Sequence, residues 1–169
     1  WVIDEAGNIW CTSHNTLYMF ELRTDTLYAA YKIPFMDEET RTHLKRFLFD
    51  SSNELWLGSK NEGLFKLITN DHDTCIAKVH LRQKKEVQYP VTIWSLHQDV
   101  SNQIWVGHSR GIIMFHPDNL QDSTGIYCIK DDAEDYPILT SYYKDKTIFA
   151  IQSDEYGNLF IRTASSVDA

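Results

Sequence analysis

Four copies of one short pattern, recurring roughly every 50 residues and built from strand-like apolar runs, predict an all-β fold of β-propeller blades. The expected architecture is a partial array of about three to four such blades, each a four-stranded antiparallel unit. The pattern is an Asp, a polar turn and an aromatic residue six positions after the Asp. It reads DVSNQIWVGHSRGIIMF from Asp99, DSSNELWLGSKNEGLFKL from Asp50, DEAGNIWCTSHNTLYMF from Asp4 and DEYGNLFIRT from Asp154. Its aromatic positions, Trp10, Trp56, Trp105 and Phe160, lie 46, 49 and 55 residues apart. Helical repeats of that length would space apolar residues by three and four instead.

The third copy shows the unit in order. VTIWSLHQD (Val91 to Asp99) is rich in β-branched and aromatic residues and reads as a first strand, SNQ as a turn and IWVG (Ile104 to Gly107) as a second strand. HSRG is the next turn, IIMF (Ile112 to Phe115) the third strand, and GIYCI (Gly125 to Ile129) the fourth, after the loop HPDNLQDST. Inner strands are expected to include Phe47 to Phe49 and Ile93 to Leu96. A short carboxylate at Asp4, Asp50, Asp99 and Asp154 can accept hydrogen bonds from the backbone N–H groups of a tight turn, and Gly7 and Gly157 supply positive φ. The repeated Asp is therefore turn chemistry. The repeated Trp is expected to fill the wedge between blades, where a large flat side chain buries much area at little entropic cost.

The units are expected at residues 1–33, 43–82 and 91–130, with half a blade at 146–164, all within one partial propeller domain spanning 1–169. Closed propellers need about 4 to 8 blades, so the expectation is part of a longer array. Blade edges left open would pair with the remaining blades or with a second copy.

The formal net charge of −8 leaves no general basic surface to track phosphates, and Arg82, Lys84 and Lys85 form too short a cluster to change that. Nucleic acid is not an expected partner. No apolar stretch approaches the length of a membrane span, so no direct membrane contact is expected of this segment. The three cysteines, Cys11, Cys75 and Cys128, show no zinc-ligand spacing and read as small buried residues. No metal and no cofactor is expected.

Together the Asp, the Gly or Asn three positions on, the apolar-Trp-apolar-Gly strand and the later Gly and apolar run resemble the two-component regulator propeller repeat. The resemblance covers nearly the whole chain and is cleanest in the third copy. Departures are Cys11 and Thr12 in place of the Gly-containing dipeptide, Thr16 where later copies have Gly63 and Gly111, and Phe160 in place of Trp. The resemblance implies the extracytoplasmic, periplasmic sensor of a hybrid two-component protein of the inner membrane, with a histidine kinase elsewhere in the full-length protein. It implies no catalysis by this segment.

Candidate ligand residues come from loops that a propeller gathers on one face. The turns between second and third strands are SHNT (Ser13 to Thr16), SKNEG (Ser59 to Gly63) and HSRG (His108 to Gly111). The links between blades are 34–43, 82–90 and 131–146. Lys60, Asn61, Glu62, His108 and Arg110 are the expected ligand-binding residues: fork-shaped donors and carboxylate acceptors suit the hydroxyls of an oligosaccharide. Lys45, Trp94 and Phe149 occupy matching inner-strand positions, suited to a channel mouth or to core packing. A lyase-like propeller enzyme is the alternative, but it would place an acid shortly after each aromatic strand. Cys11-Thr12-Ser13, Leu57-Gly58-Ser59, Val106-Gly107-His108 and Ile161-Arg162-Thr163 stand there instead. A sialidase-like site lacks its arginine cluster. A protein-interaction propeller is the third class.

Overall fold

Each copy of the pattern folds into a hairpin whose apex is organised by its Asp. One carboxylate oxygen accepts turn N–H groups: Asn8 N to Asp4 Oδ1 at 2.8 Å, Ser52 N and Glu54 N to Asp50, Ser101 N and Gln103 N to Asp99, and Tyr156 N and Asn158 N to Asp154. The third residue after each Asp has positive φ: Gly7 at 86°, Asn53 at 58°, Asn102 at 61° and Gly157 at 83°. That is why the sequence permits only Gly or Asn there. The other carboxylate oxygen reaches the indole six residues on, at 2.8 Å for Asp4–Trp10, 2.8 Å for Asp50–Trp56 and 2.6 Å for Asp99–Trp105. The Asp therefore fixes both the turn and the Trp rotamer.

The structure is a computed structural model and describes residues 1–13, 16–33, 44–69, 74–82, 92–123, 126–130 and 137–164. The first unit is a four-stranded antiparallel sheet in sequential order: β1 (Val2–Ile3), β2 (Ile9–Ser13), β3 (Thr16–Glu21) and β4 (Thr26–Lys32). The second repeats it with β5 (Leu44–Phe49), β6 (Leu55–Ser59), β7 (Leu64–Thr69) and β8 (Thr74–Arg82). The third contains β9 (Ile93–Gln98), β10 (Ile104–His108) and β11 (Gly111–Phe115). Then come the hairpin β12 (Gln121–Ser123) and β13 (Ile126–Lys130), the helix α1 (Pro137–Tyr143), and the final pair β14 (Ile148–Ser153) and β15 (Leu159–Thr163). The all-β blade architecture is as expected.

Two local expectations are corrected. Of the segment Gly125 to Ile129, residues 126–129 do not return along β11 as the third unit's fourth strand, and Gly125 lies outside the described residues; β13 instead pairs in parallel with β8, Tyr127 opposite Val79 and Lys130 opposite Arg82. The cause lies just after β11. Pro117 begins a 3-10 turn, Pro117–Asn119, capped by His116 Nδ1 accepting from Asp118 N, so the chain leaves the β11 edge at once. Leu120 then packs on the cluster between the second and third units and delivers the hairpin to the open β8 edge. The second correction is α1, which occupies part of the segment 131–146 read as a loop. Pro137 at its first position has φ preset for a helix and no N–H to leave unsatisfied.

Each Trp sits in a seam between units, as expected. Trp10 packs with Leu44, Leu57 and Phe65 of the second unit; Trp56, fully buried, with Ile93, Ile104 and Phe115 of the third; Trp105 with Ile148 and Ile151 of the fourth. Full burial of one such side chain contributes about 1.5–3 kcal/mol, so the three seams supply much of what holds the units together. Phe160, the fourth aromatic, is 62% exposed. The buried Lys66 lies over the Trp56 ring, 4.8 Å from its centroid, and pairs with Glu54. Two of the cysteines do not follow the expectation of burial: Cys11 is half-buried and Cys75 exposed, because Cys75 alternates outward beside the buried Ile76, and the side chain of Cys128 lies outside the described residues.

Candidate functional site

The turn between β6 and β7 is closed by Ser59. Its backbone N–H and its hydroxyl both donate to the Gly63 carbonyl, at 3.0 and 2.9 Å, and its Oγ accepts Glu62 N at 3.1 Å. Asn61 takes positive φ of 73° at the apex, which an asparagine tolerates. Its side-chain oxygen then accepts the Thr92 hydroxyl at 3.0 Å, across to the start of β9. Lys60 and Asn61 are exposed; Glu62 is half-buried and bonds Lys78 Nζ at 3.0 Å.

The turn between β10 and β11 is held from inside by its histidine. His108 is 8% exposed, and its Nδ1 accepts Arg110 N at 3.2 Å. Burial, with Arg110 adding a like charge, lowers its pKa from 6.5 to about 4, so the ring is neutral at physiological pH and retains the acceptor this turn needs. Arg110 is exposed at the apex, and its carbonyl accepts Asp145 N at 3.0 Å.

A chain of hydrogen bonds ties these turns into one band. Asn61 holds the Thr92 hydroxyl, the Thr92 carbonyl accepts Ser109 N at 3.1 Å, and the Ser109 carbonyl accepts the Thr147 hydroxyl at 3.2 Å. The band thus runs from the second unit through the third to the fourth. It sets Lys60 and Asn61 on the turn next to that of Arg110, with His108 beneath the latter and Glu62 drawn toward β8. Sequence reasoning missed Thr92 and Thr147, the residues that bind neighbouring turns together. Their signal was a Thr just before Ile93 and Ile148, the first residues of two successive inner strands. His14 and Asn15 of the first such turn, residues 34–43 and residues 83–90 of the interblade links lie outside the described residues.

Of the inner-strand positions Lys45, Trp94 and Phe149, Trp94 meets each of the other two. Lys45 Nζ lies 5.4 Å from the Trp94 ring centroid, and Trp94 meets Phe149 edge to face at 5.4 Å. Neither ring is fully buried. Among the described residues no group of three or more His, Cys, Asp or Glu could hold a metal ion, and no helix is long and apolar enough to cross a membrane.

The sequence matches no family profile and no curated protein. Solved structures do share the fold. The extracellular domain of BT4673 from B. thetaiotaomicron, described in one structure as a one-component and in another as a hybrid two-component system, superposes at TM-scores of 0.66 and 0.62 with 17% identity, covering 95% of this chain. The extracellular domain of the hybrid two-component system BT3049 from the same organism superposes at 0.60, also with 17% identity and 96% coverage. This chain spans 19% of the length of each. The fold is that of these extracellular domains, in agreement with the resemblance carried by the repeat.

Proposed function

We propose that the chain is part of an extracytoplasmic sensor that binds a polar, hydroxyl-rich ligand, an oligosaccharide, and leaves it chemically unchanged. The observation that carries this reading is the hydrogen-bonded band that fixes the exposed Lys60, Asn61 and Arg110 on adjacent turns of one face. Preorganised donors and acceptors lose little freedom on binding and so return more of their interaction energy as affinity. His108 contributes from below by holding Arg110, and Glu62 offers a carboxylate from its pair with Lys78. The likeness to extracellular domains of two-component systems supports a sensory role and a periplasmic location, within a protein anchored in the inner membrane and linked to a histidine kinase. Further blades, from the same chain or a second copy, complete the ring.

Calorimetry of a neutral and acidic oligosaccharide panel against the protein tests this reading. A binder whose affinity falls about tenfold or more in Arg110→Ala or Lys60→Ala, with the fold unchanged, is the expected result. A binder indifferent to both, and to Asn61→Ala, would place the site off this face.

A further inference from the structure

Three of the inner strands, β5, β9 and β14, share a defect at one position. Along β5 the register steps from Leu44 opposite Ser59 to Arg46 opposite Gly58, skipping Lys45. Along β9 it steps from Ile93 opposite His108 to Ser95 opposite Gly107, skipping Trp94. Along β14 it steps from Ile148 opposite Thr163 to Ala150 opposite Arg162, skipping Phe149. A bulge of this kind leaves one residue unpaired and re-aims its side chain. Three bulges in register re-aim Lys45, Trp94 and Phe149 together.

Their neighbours explain how the row is built. Gly58 and Gly107 let the next inner strand approach so closely that an added Cβ would lie 2.6 Å from Ile93 Cγ2 in one case and 2.7 Å from Ile148 Cγ2 in the other. Close approach brings successive bulges into contact. Arg46 fastens two of them: its Nη1 donates to the Lys45 carbonyl at 2.9 Å and its Nε to the Trp94 carbonyl. In the fourth unit Arg162 stands where the second and third units have Gly58 and Gly107, and its guanidinium lies over Phe149, 6.0 Å from the ring centroid. The result is a continuous row, Lys45, Trp94, Phe149, Arg162, with two half-exposed rings in the middle and an exposed cation at each end.

We propose that this row binds an acidic oligosaccharide, its sugar rings against Trp94 and Phe149 and its carboxylate or sulfate groups on Lys45 and Arg162. The proposal rests on the reading of the chain as an oligosaccharide sensor and adds a second contact surface and a charge class. The electron-rich ring faces attract the C–H faces of pyranose rings, while the two terminal cations select anionic substituents. Selection by charge matters on a chain of net charge −8, which otherwise repels anions. Arg46 is a positioning residue that acts through the backbone of the row.

The test is calorimetry of the protein with tetragalacturonate, a sulfated hexuronate–hexosamine tetrasaccharide, neutral galactotetraose and hexaglutamate. At least one acidic tetrasaccharide is expected to bind about tenfold or more tightly than galactotetraose, and to weaken as salt is raised. Its affinity should fall about tenfold in Lys45→Gln and in Arg162→Gln, both exposed positions that leave the fold intact, and in Trp94→Ala. Trp94→Phe, which preserves a ring, should retain most of it. Equal binding of acidic and neutral sugars, binding unaffected by these variants, absence of acidic-sugar binding, or equal binding of hexaglutamate would each overturn the proposal. A neutral sugar lost in Arg110→Ala but not in Trp94→Ala would overturn it while leaving the turn site standing.

Discussion

Replacing Asp50 with Ala should cost about 2–4 kcal/mol, and most of that cost should vanish when Trp56 is already Phe. Asp50 is 5% exposed; its Oδ1 accepts Ser52 N and Glu54 N, and its Oδ2 accepts the indole of Trp56, which is fully buried. Truncation leaves the two turn amides near solvent, where water replaces the carboxylate at about 0.5 kcal/mol each. The indole N–H has no such escape, and an orphaned buried donor costs about 1–3 kcal/mol. The two turn amides alone account for about 1 kcal/mol; the indole clamp supplies the rest. Urea denaturation followed by far-UV circular dichroism gives all four corners of the Asp50→Ala, Trp56→Phe cycle. A coupling energy of about 2 kcal/mol is expected. A cost that is the same in both backgrounds would refute the clamp, and ligand binding lost at unchanged stability would make the aspartate functional instead.

Gly58→Ala and Gly107→Ala should each destabilise by about 1–3 kcal/mol and lower the melting temperature, because the new methyl group meets the neighbouring inner strand. His108 gives a pH signature: its pKa is lowered on folding, so its contribution is complete above the unfolded value of 6.5 and is lost as pH falls toward about 4. Up to about 3 kcal/mol of stability should disappear across that window, and His108→Gln should flatten the stability–pH curve there. At Asp4 burial acts to raise the pKa, but the hydrogen bonds from Trp10 and Asn8 prevail and lower it. A further loss of stability is therefore expected as pH falls below 3.8, and Asp4→Asn should reduce it. Lys66→Met should be neutral or stabilising by thermal melting, because an apolar chain of similar length keeps the packing on Trp56 without a buried charge.

The blades were legible because their determinants are local. An Asp, a Gly or Asn at positive φ and a Trp within seven residues specify a hairpin wherever they occur, and β-branched runs around them give the strands. The course of residues 116–123 and 126–130 was not legible, because it depends on competition between two distant strand edges. Pro117 and Leu120 decide that competition only once the seam under Leu120 exists. The candidate turns were found by position, yet the burial of His108 and the pairing of Glu62 with Lys78 depend on neighbouring strands that no single turn encodes. The inner-strand row lay in the sequence as three aligned positions. Its bulges and the stacking of Arg162 on Phe149 emerge only when adjacent blades meet.

The most direct test of the proposed sensor, which would recognise a sugar without altering it, is whether an oligosaccharide that binds is recovered intact. Each oligosaccharide that binds by calorimetry is held with a molar equivalent of the protein for a day, and its mass and chain length are then read by mass spectrometry. Saturable binding with the ligand recovered intact is the predicted result. Cleavage or a new unsaturated end, abolished in a variant of the turns or of the inner-strand row, would contradict it and make this propeller an enzyme.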